Sequence, residues 1–315
     1  MIAETMPILT INHKTEYRYA HPVAFGEHRI MLRPLPGHDL RILAHRLAIE
    51  PAPMRLRWIH DVFGNSVAIA TFDERADRLT FTSTATVEHD PEVEFALTPD
   101  DPAFFYPFLY DDEEYPDLLQ FVTPQYGDPN GELSAWARQF LDPDAPTPTF
   151  KILSGMTHGI RNAFAYRKRH EQGTQRPLDT LQLKSGTCRD FALLMIEALR
   201  RLGIAARFVS GYIFVPGDSA HDYVGGGNTH AWVQVYLPSA GWIEFDPTNG
   251  IVGNRDLVRT AVARDPRQAI PLHGVYLGST NAFLAMDIDI KVVSVGDDAH
   301  AAPAEARELL NQDVR

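Results

Sequence analysis

Gly186-Thr187-Cys188-Arg189-Asp190-Phe191-Ala192-Leu193-Leu194-Met195, continuing through Ile196-Glu197-Ala198-Leu199-Arg200-Arg201-Leu202-Gly203, is the stretch on which the fold of this chain turns. Phe191, Leu194, Met195, Ala198, Leu199 and Leu202 recur at i, i+3, i+4 spacing, which predicts an amphipathic helix stopped by Gly203. The single cysteine of the chain stands at the start of that helix. Unpaired N–H groups and the helix dipole favour an anion there, which raises the thiolate fraction of a thiol. A buried, inert cysteine acting as a small hydrophobe is the other reading, and the cysteine alone does not separate the two.

Downstream, strands are expected at about 207–215, 230–237 and 242–246. In the second of these, Ala231, Val233, Val235 and Leu237 form an apolar face, and His230, Trp232, Gln234 and Tyr236 point the other way. His230 follows Gly225-Gly226-Gly227 and so falls at the rim of a sheet, where a purely structural histidine is also at home. Pro238-Ser239-Ala240-Gly241 is a turn sequence. A hairpin about it brings Asp246 within about three residues of the position opposite His230. A carboxylate in that place fixes an imidazole's tautomer and stabilises its protonated form. Capping the turn Pro247-Thr248-Asn249-Gly250 is the competing role for Asp246. Taken together, a helix-start thiol, a rim histidine and a hairpin-paired aspartate form a candidate nucleophile, base and orienting acid.

Upstream, Ile152, Leu153, Met156, Ile160 and Phe164 fall at helical spacing, and Asp179-Thr180 is a candidate cap for a short helix through Lys184. Helices grouped ahead of antiparallel strands predict an α+β domain. Residues 8–97 instead read as short alternating strands (8–13, 47–49, 66–72 and 79–87) separated by Pro, Gly, Asn and Asp turns, which predicts an antiparallel β-sandwich. From 98 to 149 prolines and acids crowd together, with one or two short helices such as 132–141. Beyond Gly250 irregular chain, a hairpin (274–277, then 282–295) and a polar tail are expected. The expected division is therefore 1–98, an N-terminal β-sandwich; 99–149, an acidic, proline-rich connection; 150–295, the helix-and-sheet core; and 296–315, the tail.

Composition narrows the function classes. In 315 residues, 44% are hydrophobic and 22% charged, as in ordinary globular proteins. Lys plus Arg number 29 against 41 Asp plus Glu, a net charge of −12 that repels phosphate backbones and argues against a nucleic-acid partner. The longest basic run, Arg167-Lys168-Arg169, reads as a solvated loop. One cysteine makes no internal disulfide. Met1 to Met6 lack a secretory signal, and the apolar stretch 191–215 is broken by Glu197, Arg200, Arg201 and Arg207, so neither membrane partner nor export is expected and the setting read is cytoplasmic. No cofactor or metal is expected. The glycine triplet lacks the context of a phosphate-binding loop. His158, His170 and His221 lack ligand spacing. Asp100-Asp101 and Asp111 to Glu114 lack the glycine of a calcium loop.

Four blocks carry a resemblance to bacterial transglutaminase-like proteins: Gly186-Thr187-Cys188-Arg189-Asp190-Phe191-Ala192; Ala205, Arg207 and Val209-Ser210-Gly211-Tyr212; Thr229-His230-Ala231-Trp232-Val233-Gln234-Val235-Tyr236-Leu237; and Gly241-Trp242-Ile243-Glu244-Phe245-Asp246-Pro247-Thr248-Asn249. His13 to Tyr19, Pro22-Val23 and His28 to Pro34 resemble the N-terminal region that accompanies that core. The resemblance implies a papain-like α+β core, with Cys188 as nucleophile, His230 as base and Asp246 as orienting acid. It implies a peptide or protein amide substrate and a thioester resolved by water or by a primary amine. The superfamily holds cross-linking enzymes, amidases, peptidases and members with a disabled site, so a non-catalytic scaffold is the alternative. The calcium activation of animal relatives is not carried over. Gln182, six residues before the cysteine, is a conceivable second oxyanion donor by analogy with papain-like peptidases, although a solvent-facing role suits its predicted helix. Asp190 reads as serving the helix start. Trp232 and Tyr236 either line a substrate groove or pack against the neighbouring domain. Oligomeric state is not legible.

Overall fold

The computed structural model describes residues 7–90, 97–167, 173–215, 223–224 and 226–295. The expected tail 296–315, Lys168, Arg169, His170, His221 and Gly225 of the glycine triplet lie outside the described residues. The chain opens with five strands: β1 (Ile8–Ile30), β2 (Leu40–Glu50), β3 (Arg55–His60), β4 (Ser66–Thr71) and β5 (Arg75–His89). β1 runs for 23 residues, far beyond the 8–13 expected, because β-forming Thr15, Tyr17 and Tyr19 continue it. Pro22, which has no N–H to give, falls where the pairing with β5 lapses between Arg18 and Val23. The N-terminal half of β1 pairs with β5, which pairs with β2; its last residues pair with β4, which pairs with β3. The two halves close on a common cluster that includes Phe25 and Ile30 of β1, Ile49 of β2, Ala68 and Ala70 of β4, and Leu79 and Phe81 of β5. The expected antiparallel layers are thus two halves of one sheet sharing a strand.

The connection holds β6 (Phe105–Tyr106), α1 (Tyr115–Val122), α2 (Glu132–Arg138) and β7 (Thr147–Pro148). Next come α3 (Thr149–Ala163), β8 (Ala165–Tyr166), α4 (Pro177–Leu183), β9 (Ser185–Gly186) and α5 (Cys188–Arg201). α4 begins earlier than expected, with Pro177 in its first turn, where a missing N–H costs nothing. β10 (Ala206–Ile213), β11 (His230–Leu237), β12 (Gly241–Asp246), β13 (Ile251–Val252) and β14 (Leu257–Ala263) form a second antiparallel sheet in the order β13-β12-β11-β10-β14. β14 replaces the irregular chain expected beyond Gly250. The last strands, β15 (Leu272–Leu277) and β16 (Phe283–Ser294), were expected to end the core. They pair instead with β1 of the first sheet, whose second edge would otherwise be open along its length.

The molecule is therefore layered. On one face of the second sheet, Ala231, Val233, Val235 and Leu237 of β11 join a cluster with α2, α3 and α5. The other face meets the first sheet's side of the molecule, where Trp232, Val209 and Val262 pack with Leu35 and Phe63. Polar ties cross the same boundary. His13 Nδ1 lies 2.9 Å from the Tyr212 hydroxyl, Asn65 Nδ2 donates to the Val262 carbonyl at 2.7 Å, and Arg259 pairs with Asp39 at 2.6 Å.

α5 is buried on every side from Asp190 to Arg200, so its polar face is not solvated as amphipathic spacing implied. Its charges are matched inside the protein. Glu197 accepts from Arg200 (2.9 Å), Arg201 (3.0 Å) and the backbone N–H groups of Gln125 and Tyr126. Arg200 also donates to the carbonyls of Phe121, Ala206 and Arg264. Glu197, Arg200 and Arg201 thus pin the connection, β10 and the chain just after β14 to the helix. No described helix is long and apolar enough to cross a membrane.

Glu197→Gln removes one buried charge and strands two guanidinium groups, so it should lower unfolding free energy by about 3–5 kcal/mol in urea titrations; unchanged stability would show the network to be dispensable. Burial alone would raise the pKa of Asp39, but Arg259 overrides it and holds the carboxylate below its usual range. Its contribution to stability is therefore complete at neutral pH and is lost as pH falls below about 4. Asp39→Asn should flatten that acid-side loss when melting temperature is followed against pH.

Candidate active site

α5 starts at Cys188 because Thr187 caps it from an extended conformation (φ −99°, ψ 175°). Asp190, three residues on, turns back so that its carboxylate accepts from the Thr187 N–H at 2.7 Å and hydroxyl at 2.9 Å. Asp190 also accepts from the Gln175 N–H at 2.6 Å and is fully buried, as a helix-start residue rather than a solvent-facing one. The approach to the helix needs Gly186. A Cβ there would lie 2.8 Å from Asp190 Cβ and 3.3 Å from a ring carbon of Phe191. Gly186 pairs in parallel with Tyr166, the single parallel pairing among the described strands, and this sets the tyrosine beside the helix start.

Cys188 is 6% exposed. His230, the first residue of β11, and the Tyr166 hydroxyl both lie near enough to the thiol for it to raise their pKa values. His230 Nε2 lies 2.7 Å from Asp246 Oδ2, and both side chains are fully buried. A carboxylate only accepts, so Nε2 carries the proton of this bond and Nδ1 is the nitrogen left for the thiol. Nδ1 has no hydrogen-bond partner of ordinary geometry. The indole of Trp232 stacks beside the imidazole, with centroids 5.9 Å apart at 27°.

The hairpin explains the meeting of His230 with Asp246. Val233 pairs with Phe245, so the register continued places Asp246 opposite Trp232, two residues along from His230 and on its face. Asp246 also accepts the Thr248 N–H on Oδ1 (2.8 Å) and Asn249 Nδ2 on Oδ2 (2.8 Å). The turn-capping and ring-orienting geometries thus coexist. Asn249 is itself held at both ends of its amide by Val224, accepting from its N–H at 2.7 Å and donating to its carbonyl at 3.1 Å.

These contacts set the charges. Burial opposes the charged form of His230, but the Asp246 carboxylate, followed by the thiol, outweighs it and holds the imidazole pKa above the histidine range. Burial likewise opposes the charge of Asp246, and His230, Asn249 and the Thr248 N–H overcome it, lowering its pKa. Burial and then the thiol push the Tyr166 hydroxyl upward, so it stays protonated and able to donate.

Other expected residues lie elsewhere. Gln182 is exposed and donates to Glu132 at 3.0 Å, away from the thiol. Trp232 is wholly buried and Tyr236 packs on Trp242 and Tyr110 with its hydroxyl on Glu114, so both serve packing rather than an open groove. Tyr166 and Asn249 were not foreseen. The first is brought in by a two-residue strand that no pattern marks, and the second reads as an ordinary turn residue. Among the described residues no group of three His, Cys, Asp or Glu side chains could hold a metal ion.

Comparison with known proteins agrees with this layout. A family model of the bacterial transglutaminase-like N-terminal region matches residues 9–88, and one of the transglutaminase-like superfamily core matches 135–247. The uncharacterized protein Mb2599c of Mycobacterium bovis is 30% identical over 312 residues, covering 92% of this chain and 94% of the relative. A protein-glutamine gamma-glutamyltransferase of Pseudomonas aeruginosa is 38% identical over 74 residues, 23% of this chain and 11% of that protein. In fold, the chain is similar to the crystal structure of a candidate cysteine protease from Cytophaga hutchinsonii, with a TM-score of 0.66, 21% identity and coverage of 92% and 91%.

Iodoacetamide trapping of the only thiol reads the charge state of this site. Because Asp246 holds the His230 proton on, the alkaline limb of the alkylation profile should lie above the usual histidine range. Asp246→Asn should move that limb down by about one pH unit or more; an unmoved limb would mean that the carboxylate does not control the ring.

Proposed function

The chain belongs to the transglutaminase-like superfamily, in its bacterial form with the accompanying N-terminal region, and on that premise we propose that it is a thiol-dependent acyl-transfer enzyme acting on amide bonds of peptides or proteins. The observation that carries the proposal is one buried imidazole, bonded through Nε2 to a carboxylate at 2.7 Å and lying near the only thiol of the chain, at a helix start. Cys188 is the proposed nucleophile, His230 the acid and base, and Asp246 the group that orients and charges the ring.

The proposed reaction balances on these groups. Cys188 Sγ, as thiolate, attacks the amide carbonyl carbon. The oxyanion is held by the Cys188 N–H, at the free end of the helix, and by the Tyr166 hydroxyl, the Gln182 amide being turned to Glu132. His230 Nδ1 gives its proton to the amide nitrogen, the C–N bond breaks, and the amine leaves a thioester on Cys188. His230 then takes a proton from water, or from a primary amine, as that molecule attacks the thioester and expels the thiolate. Water makes the protein a peptidase or amidase, and an amine makes it a transglutaminase. A cytoplasmic setting belongs to the same proposal, on the ground that a lone thiol forms no internal disulfide.

Cys188→Ala should abolish turnover, and Asp246→Asn should lower kcat by about 10³–10⁴-fold. Tyr166→Phe should lower kcat by about 10²-fold with little change in KM, as loss of one oxyanion donor does; equal loss in both parameters would make Tyr166 a binding residue. Incubation with a glutamine-containing protein and a fluorescent amine separates the two outcomes, covalent label marking transamidation and ammonia or fragment release marking hydrolysis. Turnover surviving in Cys188→Ala would overturn the proposal.

A further inference from the structure

Asn249 stands in the short turn between β12 and β13, where Asp246 pairs with Ile251 and the Gly250 N–H closes on the Asp246 carbonyl at 2.8 Å. Gly250 takes a φ of 75°, a region that residues with side chains rarely enter, so the turn is tight and its geometry set. An asparagine in such a turn ordinarily bonds its own backbone. Here the amide reaches out of the turn's backbone altogether. One Nδ2–H goes to Asp246 Oδ2 at 2.8 Å, the other to the Val224 carbonyl at 3.1 Å, and Oδ1 accepts the Val224 N–H at 2.7 Å. Only one orientation of the amide satisfies all three, because a carboxylate only accepts and a backbone N–H only donates.

Two donors thus converge on one oxygen. Asp246 Oδ2 receives His230 Nε2–H and Asn249 Nδ2–H, and the two nitrogens, 3.4 Å apart, both carry protons and so do not bond each other. The Thr248 N–H holds Oδ1. With both oxygens tied to the turn, the carboxylate cannot swing to follow the ring, and the ring must align to the carboxylate. Val224, on the approach to β11, is tied to the same amide, whereas its neighbour Tyr223 is fastened separately, its hydroxyl donating to Asp256 at 2.9 Å. We infer that Asn249 is a positioning residue for the proposed chemistry: its Nδ2–H fixes the Asp246 carboxylate, and thereby the direction of the His230 imidazole and the place of its proton, while its bonds to Val224 keep the amide itself from turning. The inference rests on the triad reading, and Asn249 acts through Asp246 and His230 rather than on the reacting atoms. Around the amide, the titratable and charged groups are Asp246 and His230, then Cys188 and Tyr166 beyond the ring, Tyr223 and Asp256 beside Val224, and His158 and Arg161 of α3 against Gly250.

Iodoacetamide trapping of Cys188 in the intact chain tests this without a substrate, with circular dichroism checking that each variant is folded. Asn249→Ala should slow trapping at neutral pH about ten-fold or more, as loss of a hydrogen bond to a charged group does. Asn249→Asp keeps the shape and the acceptor for the Val224 N–H but turns a second carboxylate oxygen on Asp246 and the Val224 carbonyl. Both neighbours, being negative, raise the pKa of the introduced carboxyl, and its protonated form, present below that pKa, donates to Oδ2 as the amide did. Its rate relative to wild type should therefore be low at about pH 8 and recover toward about pH 5. Tyr223→Phe, which loosens the same segment without touching the pair, should keep the wild-type rate and profile. An Asn249→Ala variant as fast as wild type, an Asn249→Asp deficit that does not shrink on acidification, or a Tyr223→Phe loss equal to that of Asn249→Ala would each overturn the inference and leave the triad standing. A wild-type profile with no limb governed by the imidazole would overturn the proposed function, and this inference with it.

Discussion

A carboxylate and an imidazole sealed away from water can coexist only if each answers the other, and the bond between His230 and Asp246 meets that condition. Everything nearby serves it. The β11–β12 hairpin fixes the register that lets the two meet, Thr248 and Asn249 satisfy the carboxylate's remaining lone pairs, and Trp232 holds the ring plane. An isolated buried charge would neutralise or unfold its surroundings. Here the pair raises one pKa and lowers the other, so the ionic form is the stable one.

α5 is the other half of the arrangement, and its two ends do different work. The N-terminal end, capped by Thr187 and Asp190, sets the sulfur near the ring. The C-terminal end, through Glu197, Arg200 and Arg201, gathers the connection, β10 and the chain after β14. Because the helix is buried from Asp190 to Arg200, it cannot shift by a fraction of a turn without breaking contacts at both ends. Rigid placement of this kind is what a reacting group needs, since small displacements cost large factors in rate.

Much of this was readable in the residues because local rules determined it. The helix from Cys188 followed from apolar spacing, β11 from alternation, and the hairpin from a turn sequence between two strands, so the meeting of His230 with Asp246 needed only register. What escaped depends on contacts between residues far apart in the chain. Tyr166 reaches the thiol through a parallel bridge of two residues, too short for any periodicity. β14 and the length of β1 come from pairing partners, not from their own composition. The assignment of residues 272–294 to the core failed because sheet membership is settled by whichever edge is open. Gln182 failed because spacing from the cysteine says nothing about where a side chain on α4 points; it points at Glu132.

The first and last strands of the described chain lie side by side, with the Val295 N–H bonded to the Ile8 carbonyl at 2.8 Å. A ribosome releases Ile8 long before Val295, so throughout synthesis of the α5 helix and its sheet, β1 waits with one edge unsatisfied. That edge of β1 is covered only after the chain beyond residue 294 has emerged. Until then the nascent protein carries a long β-strand edge that other chains can pair with, and folding helpers would be needed most during that interval.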